Sequence, residues 1–104
     1  MSQFTDFIND TKPTLVDFFA TWCGPCKMQG PIIEQVKAEV GDKANVLKID
    51  VDRNPELAAQ YRVQSVPTLI IFRSGEAVWR APGLHQKDDL VKEIYKHIAI
   101  KSDE

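Results

Sequence analysis

Two cysteines three positions apart are the only thiols in this chain of 104 residues, in the run Trp22-Cys23-Gly24-Pro25-Cys26. That spacing suits thiol–disulfide exchange: a thiolate attacks a disulfide sulfur, and a second thiol close by resolves the mixed disulfide. The rival uses of such a pair are an inert disulfide and half of a zinc site. A structural zinc takes four protein ligands, and the remaining soft candidates, His85 and His97, lie outside the usual histidine spacing, so no metal is expected.

Exchange chemistry needs a cysteine with a lowered pKa, and the flanking sequence supplies a place for one. Leu15-Val16-Asp17-Phe18-Phe19 is short and apolar on both alternating faces, which predicts a strand buried between two layers. Asp17 is its anomaly. Downstream, Ile32, Ile33, Val36 and Val40 recur at helical spacing with Glu34, Lys37 and Glu39 opposite, predicting a helix from Cys23 or Gly24 to Gly41, kinked at Pro31. Ala20-Thr21-Trp22 then forms the connecting loop and Cys23 falls at the helix's amino end.

Free N–H groups and the helix dipole stabilise an anion there by about 0.3–1, at best ~2 kcal/mol, which at its upper end lowers a thiol from ~8.5 by about one to one and a half units. The thiolate fraction at neutral pH rises roughly fifteenfold, while nucleophilicity falls roughly fivefold. Attack gains only a few-fold. Most of the acceleration must come from positioning the target disulfide and from Cys26 acting intramolecularly, so a substrate groove is required beside Cys23. Gly24 lets a substrate backbone come close, and Pro25 sits in the first turn where its missing N–H costs nothing. Neither carries charge, which favours a reductant over an oxidant.

The rest of the chain reads as the frame for this site. Val46–Val51 alternates apolar Leu47 and Ile49 with Lys48 and Asp50 as a second strand, and Asn54-Pro55 caps a short helix to about Tyr61. Asp50 and Asp52 are read as that strand end running into the cap. Thr68–Phe72 is a third strand, and Ser74-Gly75 turns it into a fourth through Ala77–Arg80. A last helix, Gln86 to Ile98, is expected to bury Leu90, Val91, Ile94, Tyr95 and Ile98. The order predicts an α/β fold with parallel crossovers first and a hairpin last.

With 43% hydrophobic and 27% charged residues, the composition is that of a soluble globular domain, and we read residues 1–104 as one domain. A net charge of −2 gives no reason to bind nucleic acid. Apolar runs of no more than about five residues exclude a membrane span, and the acidic opening, with Lys12 as its first cation, has no export-signal character. A cytoplasmic location is expected, where a two-cysteine motif is catalytic more often than structural. No nucleotide-binding loop occurs, so no bound cofactor is expected and electrons must come from another protein.

Val16-Asp17-Phe18, Ala20–Met28, Pro31, Lys48–Asp52, Val66-Pro67-Thr68, Gly75 and Gly83 occur in an order that resembles the thioredoxin family over nearly the whole chain. The resemblance implies a thioredoxin fold: a central mixed sheet of about four strands flanked by helices on both faces. Its first edge strand is short or missing here, because Gln3–Asn9 reads as helix. The same resemblance implies a protein-disulfide reductase with Cys23 as nucleophile and Cys26 as resolving thiol, re-reduced by a thioredoxin reductase and acting as a monomer on disulfide-containing client proteins.

Asp17 matches the family's buried acid behind Cys26, and Lys48 the lysine that pairs with it. Pro67 matches a cis-proline that frees the backbone of Val66 for a substrate strand. Trp22, Gly24, Pro25, Val66, Pro67 and Gly83, with Leu84, would bound the groove. Phe19, Gly30, Arg62, Ser65 and Pro82 depart from the common pattern near the site without touching a cysteine. His85 and His97 are expected to be solvated. A disulfide oxidase or isomerase, and a binding module that uses the groove without turnover, remain the alternative functions.

Overall fold

The computed structural model describes residues 2–98. Its elements are α1 (Ser2–Ile8), β1 (Thr14–Phe19), α2 (Gly24–Val40), β2 (Asn45–Asp50), α3 (Pro55–Gln60), β3 (Thr68–Arg73), β4 (Glu76–Pro82) and α4 (Lys87–Lys96), with one 3₁₀ turn at Gly41–Lys43. The strands form one sheet in the order β2-β1-β3-β4. β1 pairs with β2 in parallel, whereas β1 with β3 and β3 with β4 are antiparallel. The first crossover is therefore parallel as expected. The second is not: α3 returns the chain reversed, so that β3 enters on the far side of β1.

Alternation along β1 and β3 builds two cores. Leu15, Leu69 and Ile71 pack under Ile33, Val36 and Val40 of α2 and Leu90, Val91 and Ile94 of α4. Val16, Phe18, Ile70 and Phe72 point to the other face, beneath Phe4 and Ile8 of α1 and Leu57 of α3. Fully burying a Leu, Ile, Val or Phe side chain stabilises by about 1.5–3 kcal/mol, so both layers are needed to hold the sheet. α4 buries Leu90, Val91 and Ile94, but Tyr95 is exposed, with the Lys43 ammonium 5.6 Å above its ring, and Ile98 is only half-buried.

Among the described residues no strand lies outside β2, as the helical reading of the amino-terminal segment implied. α1 is instead tied to the β3–β4 turn, where the Ser74 and Gly75 N–H groups donate to Asp10 O and Ile8 O at 2.9 and 2.8 Å. Ser74 and Gly75 have φ of 53° and 85°, the left-handed pair that a two-residue hairpin needs. A side chain at 75 would also meet Asn9 Oδ1 at 2.7 Å.

Candidate active site at the carboxyl end of β1

β1 ends at Phe19 and α2 begins at Gly24, which puts Cys23 at the helix N-cap with extended backbone. The cysteines are joined as a disulfide with Cα atoms 5.2 Å apart, and the Cys26 N–H donates to Cys23 Sγ at 3.2 Å. An otherwise orphaned helix donor thus points at the sulfur where negative charge would develop on reduction. Exposure does not separate the two residues, at 4% for Cys23 and 6% for Cys26. Their neighbours do. Cys23 Sγ lies 3.5 Å from Val66 O, next to the cis Val66–Pro67 peptide, whereas Cys26 lines a cavity of about 520 Å³ with Asp17, Phe19, Gly30, Glu34 and Lys48.

Strand alternation explains how Asp17 reaches that cavity. It shares its face of β1 with Leu15, under α2, and is 1% exposed. Its Oδ1 has no hydrogen-bond partner. Burial pushes its carboxyl up to about 6, and the positive charge of Lys48 draws it part of the way back. Lys48 is the register partner of Asp17 on the parallel strand, but its ammonium makes its ion pair with Glu34 of α2, at 3.6 Å. Being partly exposed, that pair contributes little to stability.

The surface around the disulfide is open on the side of Trp22, which is 70% exposed. Trp22 is therefore no part of the core; its indole N–H donates to Asp52 Oδ2 at 2.8 Å. Gly24 and Pro25 are exposed, and nothing lies within 4 Å of a Cβ added at Gly24. Pro67 is buried, and its carbonyl accepts at 2.8 Å from the N–H of Gly83, whose φ of 87° favours glycine. Trp22, Gly24, Val66 and Gly83 thus stand on three different loops at one end of the sheet.

Three local expectations need correction. Asn54 precedes α3 but does not cap it: its amide donates to Asp50 O at 3.1 Å, leaving the helix to start at Pro55 without a side-chain acceptor. Asp52 does more than end a strand, since it holds the Trp22 indole. His85 is not a free surface histidine; it is half-buried, its ring edge-on to Trp79 with centroids 5.7 Å apart and its Nδ1 2.9 Å from Gly83 O. Sequence reasoning also missed Glu34 as the partner of Lys48, although both were placed on elements that meet, and Gln29, whose position on the buried stripe of α2 was the available signal.

A disulfide between cysteines three positions apart, at the head of a helix and against an X-Pro loop of a mixed sheet, defines a thiol–disulfide oxidoreductase. Known proteins agree. The thioredoxin family profile matches residues 1–96. A thioredoxin of Staphylococcus saprophyticus is 48% identical over 97 residues, covering 93% of this chain and 92% of that one, and a thioredoxin of Staphylococcus aureus is 50% identical over 84 residues, covering 81% of each. Among solved structures, a mutant thioredoxin from Halobacterium salinarum superposes with a TM-score of 0.88 at 39% identity, over 97% of this chain and 88% of that one. The chain belongs to the thioredoxin family. It is a protein-disulfide reductase, whose substrates are disulfide-containing proteins.

Proposed function

We propose that Cys23 is the attacking thiol and Cys26 the resolving one. The Cys23 thiolate attacks a client disulfide, forming a mixed disulfide and releasing the first client sulfur as a thiolate. Cys26 then gives up its proton and attacks the Cys23 sulfur; the mixed disulfide breaks, the second client thiolate leaves, and two electrons have passed to the client. The Cys23–Cys26 disulfide is the product.

Asp17 takes the proton of Cys26 through the shared cavity. A carboxyl near 6 is well matched to that task, being mostly ionised at neutral pH yet more basic than an ordinary aspartate. Lys48 keeps it from rising further. Trp22, Gly24, Pro25, Val66, Pro67 and Gly83 bound the groove, and an extended client segment adds to the Val66 backbone as a short strand. Re-reduction falls to a thioredoxin reductase. The protein works as a one-domain cytoplasmic monomer; no helix among the described residues is long and apolar enough to cross a membrane.

The observation that carries this assignment is the split environment of the pair, Cys23 against Val66 and Cys26 against the Asp17 cavity. Its test is trapping. Cys26→Ser should accumulate a covalent adduct with a disulfide protein such as insulin, visible as a mass shift that a reducing agent reverses, and Cys23→Ser should give none. Adducts with Cys23→Ser alone would reverse the roles.

A further inference from the structure

Gln29 stands on the buried stripe of α2 between Cys26 and Ile33 and is 0% exposed. Burying an amide is costly unless its groups are bonded, and an aliphatic residue would fill the space as well. Both ends of this amide serve one residue. Nε2 donates to His85 O at 2.9 Å, and Oε1 accepts from His85 N–H at 2.8 Å. A side chain that exchanges two bonds with one backbone residue does what a neighbouring strand does in a sheet.

The segment it holds is the loop between β4 and α4. Within it, His85 Nδ1 reaches back to Gly83 O at 2.9 Å, and the Gly83 N–H is bonded to Pro67 O at 2.8 Å. Val66 O in turn lies 3.5 Å from Cys23 Sγ. A continuous circuit therefore runs from the first turns of α2 through Gln29, His85, Gly83, Pro67 and Val66 back to the sulfur. Gln29 is the one link in it that ties the helix bearing both cysteines to the loop opposite.

We infer that Gln29 is a positioning residue for client recognition: it fixes the Gly83–His85 loop against α2, so that an extended client segment meets a groove already formed. The inference rests on the groove reading given above. Ordering a loop in advance lowers the cost of binding, so its effect falls on substrates that use the loop. A small disulfide, which reaches only the sulfurs, does not.

Gln29→Met keeps the length and shape of the side chain and removes both polar groups. With insulin as substrate its KM should rise about five- to tenfold with kcat little changed, a loss in line with two hydrogen bonds of ordinary worth. Reduction of a small aromatic disulfide should stay within twofold, and the reduction potential of Cys23–Cys26 should be unchanged. Exchange of the His85 amide hydrogen should accelerate.

An unaltered KM for insulin, or an equal loss towards insulin and the small disulfide, overturns the assignment. So does unchanged exchange at His85. Failure of the groove reading itself has a separate signature, because the unsubstituted protein would then show no preference in KM for insulin over the small disulfide.

Discussion

Replacing Asp17 by asparagine should stabilise the protein at neutral pH, and by an amount that depends on pH in a defined direction. The carboxyl titrates near 6 in the folded chain against an ordinary value of 3.8. Between those values the folded state holds a proton that the unfolded chain has released, so stability falls as the pH rises from 3.8 through about 6 and is level above. A gap of roughly two units, at 1.36 kcal/mol each, sets the lost stability at about 3 kcal/mol. Asp17→Asn keeps the shape and removes the charge, but its amide hydrogens enter the same buried place in which Oδ1 already lacks a partner, so about 1–2 kcal/mol of the gain is offset.

Urea unfolding of the disulfide form at pH 4, 6 and 8 would measure it. We expect Asp17→Asn to be more stable than the parent by about 1–2 kcal/mol at pH 8, with the difference shrinking at pH 6 and vanishing or reversing at pH 4. Other titrating groups are common to both proteins and cancel in the comparison. A difference that is the same at all three pH values, or a parent more stable at pH 8, would refute the assignment of the shift to burial of Asp17.

Two further predictions concern the loops beside the disulfide. Gly83→Ala places a β-carbon in open space but at a φ of 87°, so stability should drop by roughly 1–2 kcal/mol from backbone strain alone, read as a lower urea midpoint with an unchanged slope. Arg80 donates from both terminal guanidinium nitrogens, Nη1 and Nη2, to the carbonyls of Tyr61 and Arg62, where Arg62 has a φ of 55°. Arg80→Ala should release that turn, lowering the thermal midpoint by several degrees and increasing protease cleavage near residue 62, whereas the reduction potential stays constant; a shifted potential would mean that the turn communicates with the sulfurs.

Elements whose pattern had one period were legible in advance. The two-sided apolar run of β1 and the 3-4 spacing of α2 are enough to put Cys23 at the amino end of a helix, and the Ser74-Gly75 pair locates the hairpin. What escaped has a common physical character. The direction of β3 depends on which edge of the sheet a strand joins, a property that residues 55–68 do not encode locally. The Asn54 side chain offered both a carbonyl oxygen and an amide N–H, and a bond to Asp50 O four residues upstream took the N–H. Gln29, His85, Asp52 and Glu34 acquire their meaning from partners 14 to 56 positions away, and an uncharged amide in an apolar stripe is a signal only to a reader looking for one.

The alternation of β1 has a consequence for how such a protein can diverge. Leu15, Asp17 and Phe19 look towards α2, the latter two into the cavity beside Cys26, whereas Val16 and Phe18 look towards α1 and α3. Asp17 thus stands one residue from Val16 and Phe18 yet is separated from them by the thickness of the sheet. Val16 and Phe18 can be exchanged for other apolar residues without touching the cavity, whereas Asp17 bears on stability and on proton transfer at once, so a substitution there alters both. Within one strand of six residues, therefore, the side facing α1 and α3 is the freer to drift and the cavity side the more constrained.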